Sequence, residues 1–404
     1  MQVSPPLRGV HYVEGEASEL RSGSGKKEIF DQESFFNQRT RRRTRLNYIF
    51  VGCDSHDKTL VTKIAKNLEV PEKKTFSATK TGRRKFVQYL AERAKGGAKV
   101  VVAYEASGNG FILCDELRAA GLACHVLAPT KIERSSKQKR NKNDDRDADR
   151  LLEILRGHYL AGNRLPSVWV PDVQTRDDRE TVRTRQDMSQ KATAVKTQIQ
   201  MLLKRNGEEK PEGIGKGWSK SYRQWLKGLA ECGAERLGMK TALGSLLRQL
   251  EFLENEIDGL EQAMQQLSDS PRWKAITEAL MTEKGVGLNT ALKFATDIAD
   301  FSRFRRGRQI GAYYGLVPSS QESGENNDRK GHITREGSPS TRQILCQSTW
   351  ARVRHDEKER EVYRRLVARN PKKKKVALVA CMRRLSVRLW HVGSQAQLKM
   401  KMEG

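Results

Sequence analysis

"LNYIFVGCDSHDKTLVTKIA", residues 46–65, contains two apolar, β-branched runs separated by a polar turn at Ser55 to Lys58. Two such runs around a short polar turn read as paired strands. Next, "GRRKFVQYLAERAKGG" (82–97) has helical character and closes on glycines, as helices often do. "AKVVVAYEASGNG" (98–110) is an unbroken apolar run, the pattern of a buried strand. "GFILCDELRAAG" (110–121) then reads as a helix and "LACHVLAP" (122–129) as a further strand. The alternation predicts an α/β domain over 46–165, its sheet buried between helices.

On either side of this block the chain changes character. Residues 1–45 are polar and aperiodic and end in "RTRRRTR", which predicts a flexible basic extension. Such a segment serves as an arm on a nucleic-acid backbone or as a solvated tail. Over 176–270, Met188, Ala192, Val195, Ile199 and Leu202 form one heptad seam. Leu243, Leu246, Leu250, Leu253, Ile257, Leu260, Met264 and Leu267 form a cleaner one. Sustained 3-4 spacing predicts coiled-coil helices, interrupted by an insert at 207–241, that pair within one chain or between two.

The last region, 272–395, reads as mainly helical. "EKGVGLNTALKFATDI" (283–298) resembles the turn of a helix-hairpin-helix element, where amides at a helix start can meet a phosphate. "LVPSSQESGENNDRKGHITREGSPS" (316–340) reads as a long polar loop before a basic helical tail.

Lys and Arg number 76 against 49 Asp and Glu, a net charge of +27. That excess argues against an ordinary small-molecule enzyme and for a polyanionic partner, most simply nucleic acid. A basic ribosome-associated factor would have the same composition. Aromatic residues make up 6% of the chain, too few for extensive base stacking. The six cysteines are scattered without a CxxC pair, which predicts neither zinc site nor disulfide framework and fits a reducing cytoplasm. No apolar run reaches membrane-spanning length and no signal peptide is recognised, so a cytoplasmic protein is expected.

"NKNDDRDADRLLEIL" (141–155) places four aspartates directly after the basic stretch "TKIERSSKQKRNK" (130–142). In a helix each residue advances by about 100°. Ala148, Leu151, Ile154 and Leu155 then define a buried stripe that Asp144 and Asp147 continue. Asp145 and Asp149 fall on the solvated side. Inward carboxylates need a partner, and a divalent cation is one. Asp54 and Glu105 end the strands "YIFVGC" and "VVVAY", at the strand ends where α/β sheets collect functional groups. Asp54, Glu105, Asp144 and Asp147 together would supply four hard oxygen donors suited to Mg²⁺ or Mn²⁺.

The order "VGCDSHDK", "YEASGNG", "KNDDRDAD" resembles the DEDD core of insertion-sequence transposases whose catalytic domain is RuvC-like, with an RNase H fold. This family comprises bridge-RNA-guided serine recombinases and the related pilin-gene invertases. Lys142, Asn143, Asp144, Asp147 and Ala148 match its Lys-Thr-Asp-x-x-Asp-Ala signature, with Asn in place of Thr. The segment from Glu283 onward is similar to the family's transposase domain, with Lys284 where proline is usual. The resemblance covers about 46–160 and 275–392.

The resemblance implies catalysis by the tetrad Asp54, Glu105, Asp144 and Asp147 with Mg²⁺ or Mn²⁺. It also implies a nucleophilic Ser323 in "PSSQESGE" that forms a phosphoserine link to DNA, Ser338 being the next candidate. A serine hydroxyl is a weak nucleophile until a base or metal assists its deprotonation. Lys131, Lys137, Lys139, Arg140, Lys142, His332 and Arg335 are candidate nucleic-acid contacts. The implied partners are element and target DNA, a structured guide RNA, and further copies of the chain as a dimer or dimer of dimers joined through the coiled coil. A bacterial protein that meets the nucleoid when it acts is expected. Two alternatives carry the same residues: a metal-dependent junction-resolving nuclease using water, and a non-catalytic RNA-binding scaffold.

Overall fold

The computed structural model describes residues 47–132, 144–215, 217–231, 236–320 and 330–403. The expected basic extension lies outside them. One compact unit runs to Val170 and a second begins at Pro171.

The first unit comprises β1 (Tyr48–Ser55), β2 (Thr59–Lys66), β3 (Glu72–Ser77), α1 (Lys80–Ala94), β4 (Lys99–Glu105), α2 (Ile112–Ala119), β5 (Ala123–Leu127) and α3 (Asp144–Ala161). Its sheet has the order β3-β2-β1-β4-β5. β1 to β3 form an antiparallel meander, while β4 and β5 run parallel to β1. β3, "EKKTFS", is too charged to read as a strand from its own sequence. It forms because β2 offers it a ladder, and its lysines suit an exposed sheet edge.

Strict alternation sorts the sheet into two faces. Val51, Cys53, Val100, Val102 and Tyr104 face one core with Phe86 and Leu90 of α1 and Leu113 and Leu117 of α2. Phe50, Val101 and Ala103 face the other, covered by Leu151, Leu152 and Leu155 of α3. The helical stripe expected on α3 is present with one change, since Leu152 is fully buried and Ile154 only partly.

The second unit is mainly helical. It contains α4 (Val173–Arg205), α5 (Lys220–Glu231), α6 (Leu237–Ser268), α7 (Lys274–Met281), α8 (Leu288–Ile298) and α9 (Gly307–Tyr313). The strands β6 (Pro318–Ser320) and β7 (Lys330–Ile333) follow, then α10 (Pro339–His355), α11 (Glu357–Arg369) and α12 (Lys374–Glu403). α4 and α6 pair antiparallel within the chain. Arg185 meets Glu261, and Lys196 reaches Glu254 at 2.9 Å. Ala192, Val195 and Ile199 pack with Leu243, Leu250 and Leu253, and α5 inserts Tyr222 and Leu226 into the same cluster. Of the two pairings open to the leucine seam, within one chain or between two, the structure shows the first.

A second core gathers α7, α8, α10 and α12 around Trp273, Phe294, Phe301 and Leu389. The turn between α7 and α8 sits directly on α10. Gly285 has φ +82°, and a Cβ there would lie 2.7 Å from the Ser348 carbonyl oxygen. Glu283 anchors the same turn through Arg352 and Arg388, each at 2.8 Å. The stretch expected as a loop between 316 and 340 carries an antiparallel β6–β7 pair in its described part.

Candidate active site

Asp54 and Glu105 end neighbouring parallel strands. The register pairs Cys53 with Tyr104, so each acid is one residue beyond a paired position. Cys53 and Tyr104 face the α1–α2 core, so alternation turns Asp54 and Glu105 to the side that α3 covers. Gly52 fixes how closely α3 approaches that side. A Cβ at Gly52 would collide with the Ala148 carbonyl and lie 2.6 Å from the Leu152 nitrogen. The helix therefore crosses β1 at Ala148, immediately after Asp147 and two positions before the carboxylate of Asp54.

The aspartates of α3 sort by direction. Lys63 of β2 lies 3.2 Å from Asp145 and 3.6 Å from Asp149, and Lys73 of β3 lies 3.3 Å from Asp145. These two aspartates keep the surface position expected for them, at 35% and 45% exposure, and in addition pair with lysines of the β2–β3 side. Desolvation works to raise the Asp145 pKa, but hydrogen bonds from Lys63 and Lys73 outweigh it and hold the carboxyl below its usual range. At about 100° per residue, Asp147 flanks the buried stripe on the opposite side, toward β4 and Glu105. Its side chain is 15% exposed and lies 3.6 Å from Arg150. Asp54 is 14% exposed, and His56 Nε2 lies 3.0 Å from its Oδ2. On the opposite face, burial pushes the Cys53 thiol far above its usual range.

Asp54 and Glu105 thus share one face and one edge of the sheet, on the side that α3 crosses. Among the described residues, no three acidic, His or Cys side chains close tightly enough to hold an ion. The Asp144 side chain lies outside the described residues, although its backbone opens α3. In kind, all-carboxylate donors on a partly buried edge fit a hard divalent cation rather than zinc.

Ser323, Lys137, Lys139, Arg140 and Lys142 also lie outside the described residues. Lys131 is exposed and lines a cleft of about 750 Å³ with Arg150 and Arg164. His332 and Arg335 are exposed on and just after β7 and border a cavity of about 1180 Å³ in the second unit. Ser338 caps α10, its hydroxyl accepting the Thr341 amide at 3.2 Å. No motif in the sequence marks Lys63 and Lys73, because a lysine on a strand looks like any solvated charge. The available signal was the period of two that puts Lys63 on the same face as Gly52 and Asp54.

Two family descriptions match the chain. One, a DEDD transposase domain of the IS110 type, covers residues 51–206. The other, the transposase domain of the IS116/IS110/IS902 family, covers residues 277–364. A Sinorhizobium fredii protein, y4qE, whose name assigns it as a transposase, is 29% identical over 309 residues, 74% of this chain and 71% of that protein. A second from the same organism, y4rJ, is 26% identical over 309 residues, 72% of this chain and 76% of that protein. The transposase for insertion sequence element IS1111A of Coxiella burnetii is 26% identical over 281 residues, 68% of this chain and 71% of that protein.

Proposed function

With both transposase domains of the IS110/IS116 family on one chain, we propose that this insertion-sequence transposase cuts and rejoins DNA through a phosphoserine intermediate on Ser323. The observation that carries the reading is the edge where Asp54 and Glu105 end adjacent strands beneath the first turn of α3. The strand order β3-β2-β1-β4-β5, three antiparallel strands followed by two parallel ones, supports assigning the first unit a RuvC-like fold.

In this reading Ser323 Oγ attacks the scissile phosphorus. A phosphoserine ester forms, and one deoxyribose hydroxyl leaves. Attack by a hydroxyl of the exchanged strand reverses the step and frees the serine. One phosphodiester replaces another, so no ATP is needed. A divalent cation held by Asp54, Glu105, Asp144 and Asp147 would ease hydroxyl deprotonation and offset charge on the phosphate. The chain's own part is to fix the donors. Gly52 sets the depth of α3, and Lys63 with Lys73 keeps Asp145 and Asp149 turned away, so that the remaining aspartates serve the edge.

The net charge of +27 suits simultaneous contact with DNA and a structured guide RNA. Exchange between two duplexes calls for a dimer or a dimer of dimers. The α4–α6 seam is buried within the chain, so its outer faces or other surfaces would supply that contact.

The test is to trap protein–DNA adducts on labelled element ends under denaturing conditions. Ser323→Ala and Asp54→Ala should each abolish adducts and strand exchange while RNA binding persists. Adducts on the Ser323 variant would refute the nucleophile. Metal-dependent cutting by the intact protein with no adduct would establish the water-using nuclease instead.

A further inference from the structure

The second unit contains a cavity of about 1180 Å³ between α11, α12 and the β6–β7 pair. Its volume exceeds the roughly 300–1,000 Å³ typical of small-molecule sites. Its floor is aliphatic, formed by Val362, Leu366, Val379 and Val387, with Val376 at 62% exposure beside them. Its walls are cationic, carrying Arg335, Arg365, Arg369, Lys373, Lys375 and Arg383. None of these six has a carboxylate partner within 4 Å among the described residues. The lone acid of the lining, Glu359, is engaged by Arg352 at 3.6 Å and Arg384 at 3.7 Å.

Cations without counter-charges around an apolar floor select a particular ligand. A purely ionic duplex surface would not need an aliphatic base, because duplex DNA presents phosphates outward and keeps its base faces stacked. A membrane surface or acidic peptide would satisfy the charge without alternating phosphates with flat apolar faces along one chain. An unpaired strand offers both parts at once: phosphates for the walls and exposed base faces for the floor. The location narrows the source to DNA. Pro318 and Gly331, on the two strands that bracket the segment bearing Ser323, both line the cavity, and Ser320 pairs with Lys330.

We propose that the α11–α12 cavity binds an unpaired DNA strand flanking the cut site, with phosphates on its arginine and lysine walls and bases on its aliphatic floor. The proposal rests on the DNA-cutting reading above, but it is measured by binding, which requires neither Ser323 nor the carboxylates.

The experiment uses the full chain, a fluorescently labelled single-stranded DNA oligonucleotide, its duplex, and RNA of the same sequence, followed by anisotropy across a salt series. The triple variant Arg365→Ala, Arg369→Ala, Lys373→Ala changes exposed residues only. It should weaken single-stranded DNA binding by ~10-fold or more and shallow its salt slope by about 2, at about 0.7 per lost contact. Duplex binding should change by less than about 2-fold. Val376→Asp, at an exposed floor position, should weaken the same ligand while leaving the melting temperature unchanged. Equal losses for single strand and duplex would overturn the proposal, marking the cavity as a general phosphate surface. A loss confined to RNA would overturn the assignment to DNA. Retained cavity-dependent binding in a protein that forms no adduct would instead leave this proposal standing and refute the recombinase reading.

Discussion

Gly52→Ala isolates the contact that sets the candidate active site. An added methyl group would lie 2.6 Å from the Leu152 nitrogen and closer still to the Ala148 carbonyl, where ordinary contact begins at 3.4 Å. Both obstacles are backbone, so neither can rotate away. Relief requires α3 to lift from β1 by about 1 Å or for β1 to buckle by as much, an overpacking strain of roughly 1–3 kcal/mol. The same movement carries Asp144 and Asp147 away from Asp54 and Glu105. A 1 Å misplacement of reacting groups commonly costs about 100-fold in rate. The variant should therefore fold with a lowered melting temperature and lose strand exchange far beyond what its unfolded fraction explains. Chemical denaturation and adduct trapping on the same preparation separate these two effects. Adduct formation within about 2-fold of the parent, with α3 still docked, would refute the claim that Gly52 sets the site.

Four further outcomes follow from the same geometry. Lys63→Met removes the clamp on Asp145 and Asp149 and should weaken Mn²⁺ binding by about 10-fold, read by titration without DNA. Asp178→Ala leaves the buried Trp273 indole, now donating at 2.8 Å, without an acceptor and should cost about 1–3 kcal/mol in urea melts. Gly259, within α6, has open space around its Cβ position, so Gly259→Ala should stabilise by roughly 0.5–1 kcal/mol. Glu254 is hydrogen-bonded by Arg223 and, against desolvation, by Lys196, which lowers it from 4.5 to about 2. A depressed acid contributes stability above its unfolded value and loses it as pH falls, so the α4–α6 pair should weaken between pH 4.5 and about 2. Its partial exposure limits the effect to about 1–2 kcal/mol, and Glu254→Gln should remove that pH dependence.

The parts of the molecule that were legible in the sequence are those in which one element's own pattern decides. β1, β4 and β5 announce themselves as apolar runs, and α3 by its stripe, because burial on a period of two or 3.6 leaves a trace in a single segment. The parts that were not legible depend on a neighbour. "EKKTFS" becomes β3 only because β2 supplies a ladder, and the pairing that the seam of α6 leaves open is made with α4 because a chain reversal brings α4 beside it. The carboxylates belong to both classes, and that division is informative. Helical phase sets Asp145 and Asp149 on a flank apart from Asp147 and assigns that pair to water. They are partly exposed, but Lys63 also reaches both and Lys73 reaches Asp145, through positions on strands that no helical argument contains. The excess acids of α3 thus hold one flank of the helix against β2 and β3. In the proposed reading, that hold is what sets the other flank, with Asp147, toward the edge where Asp54 and Glu105 end.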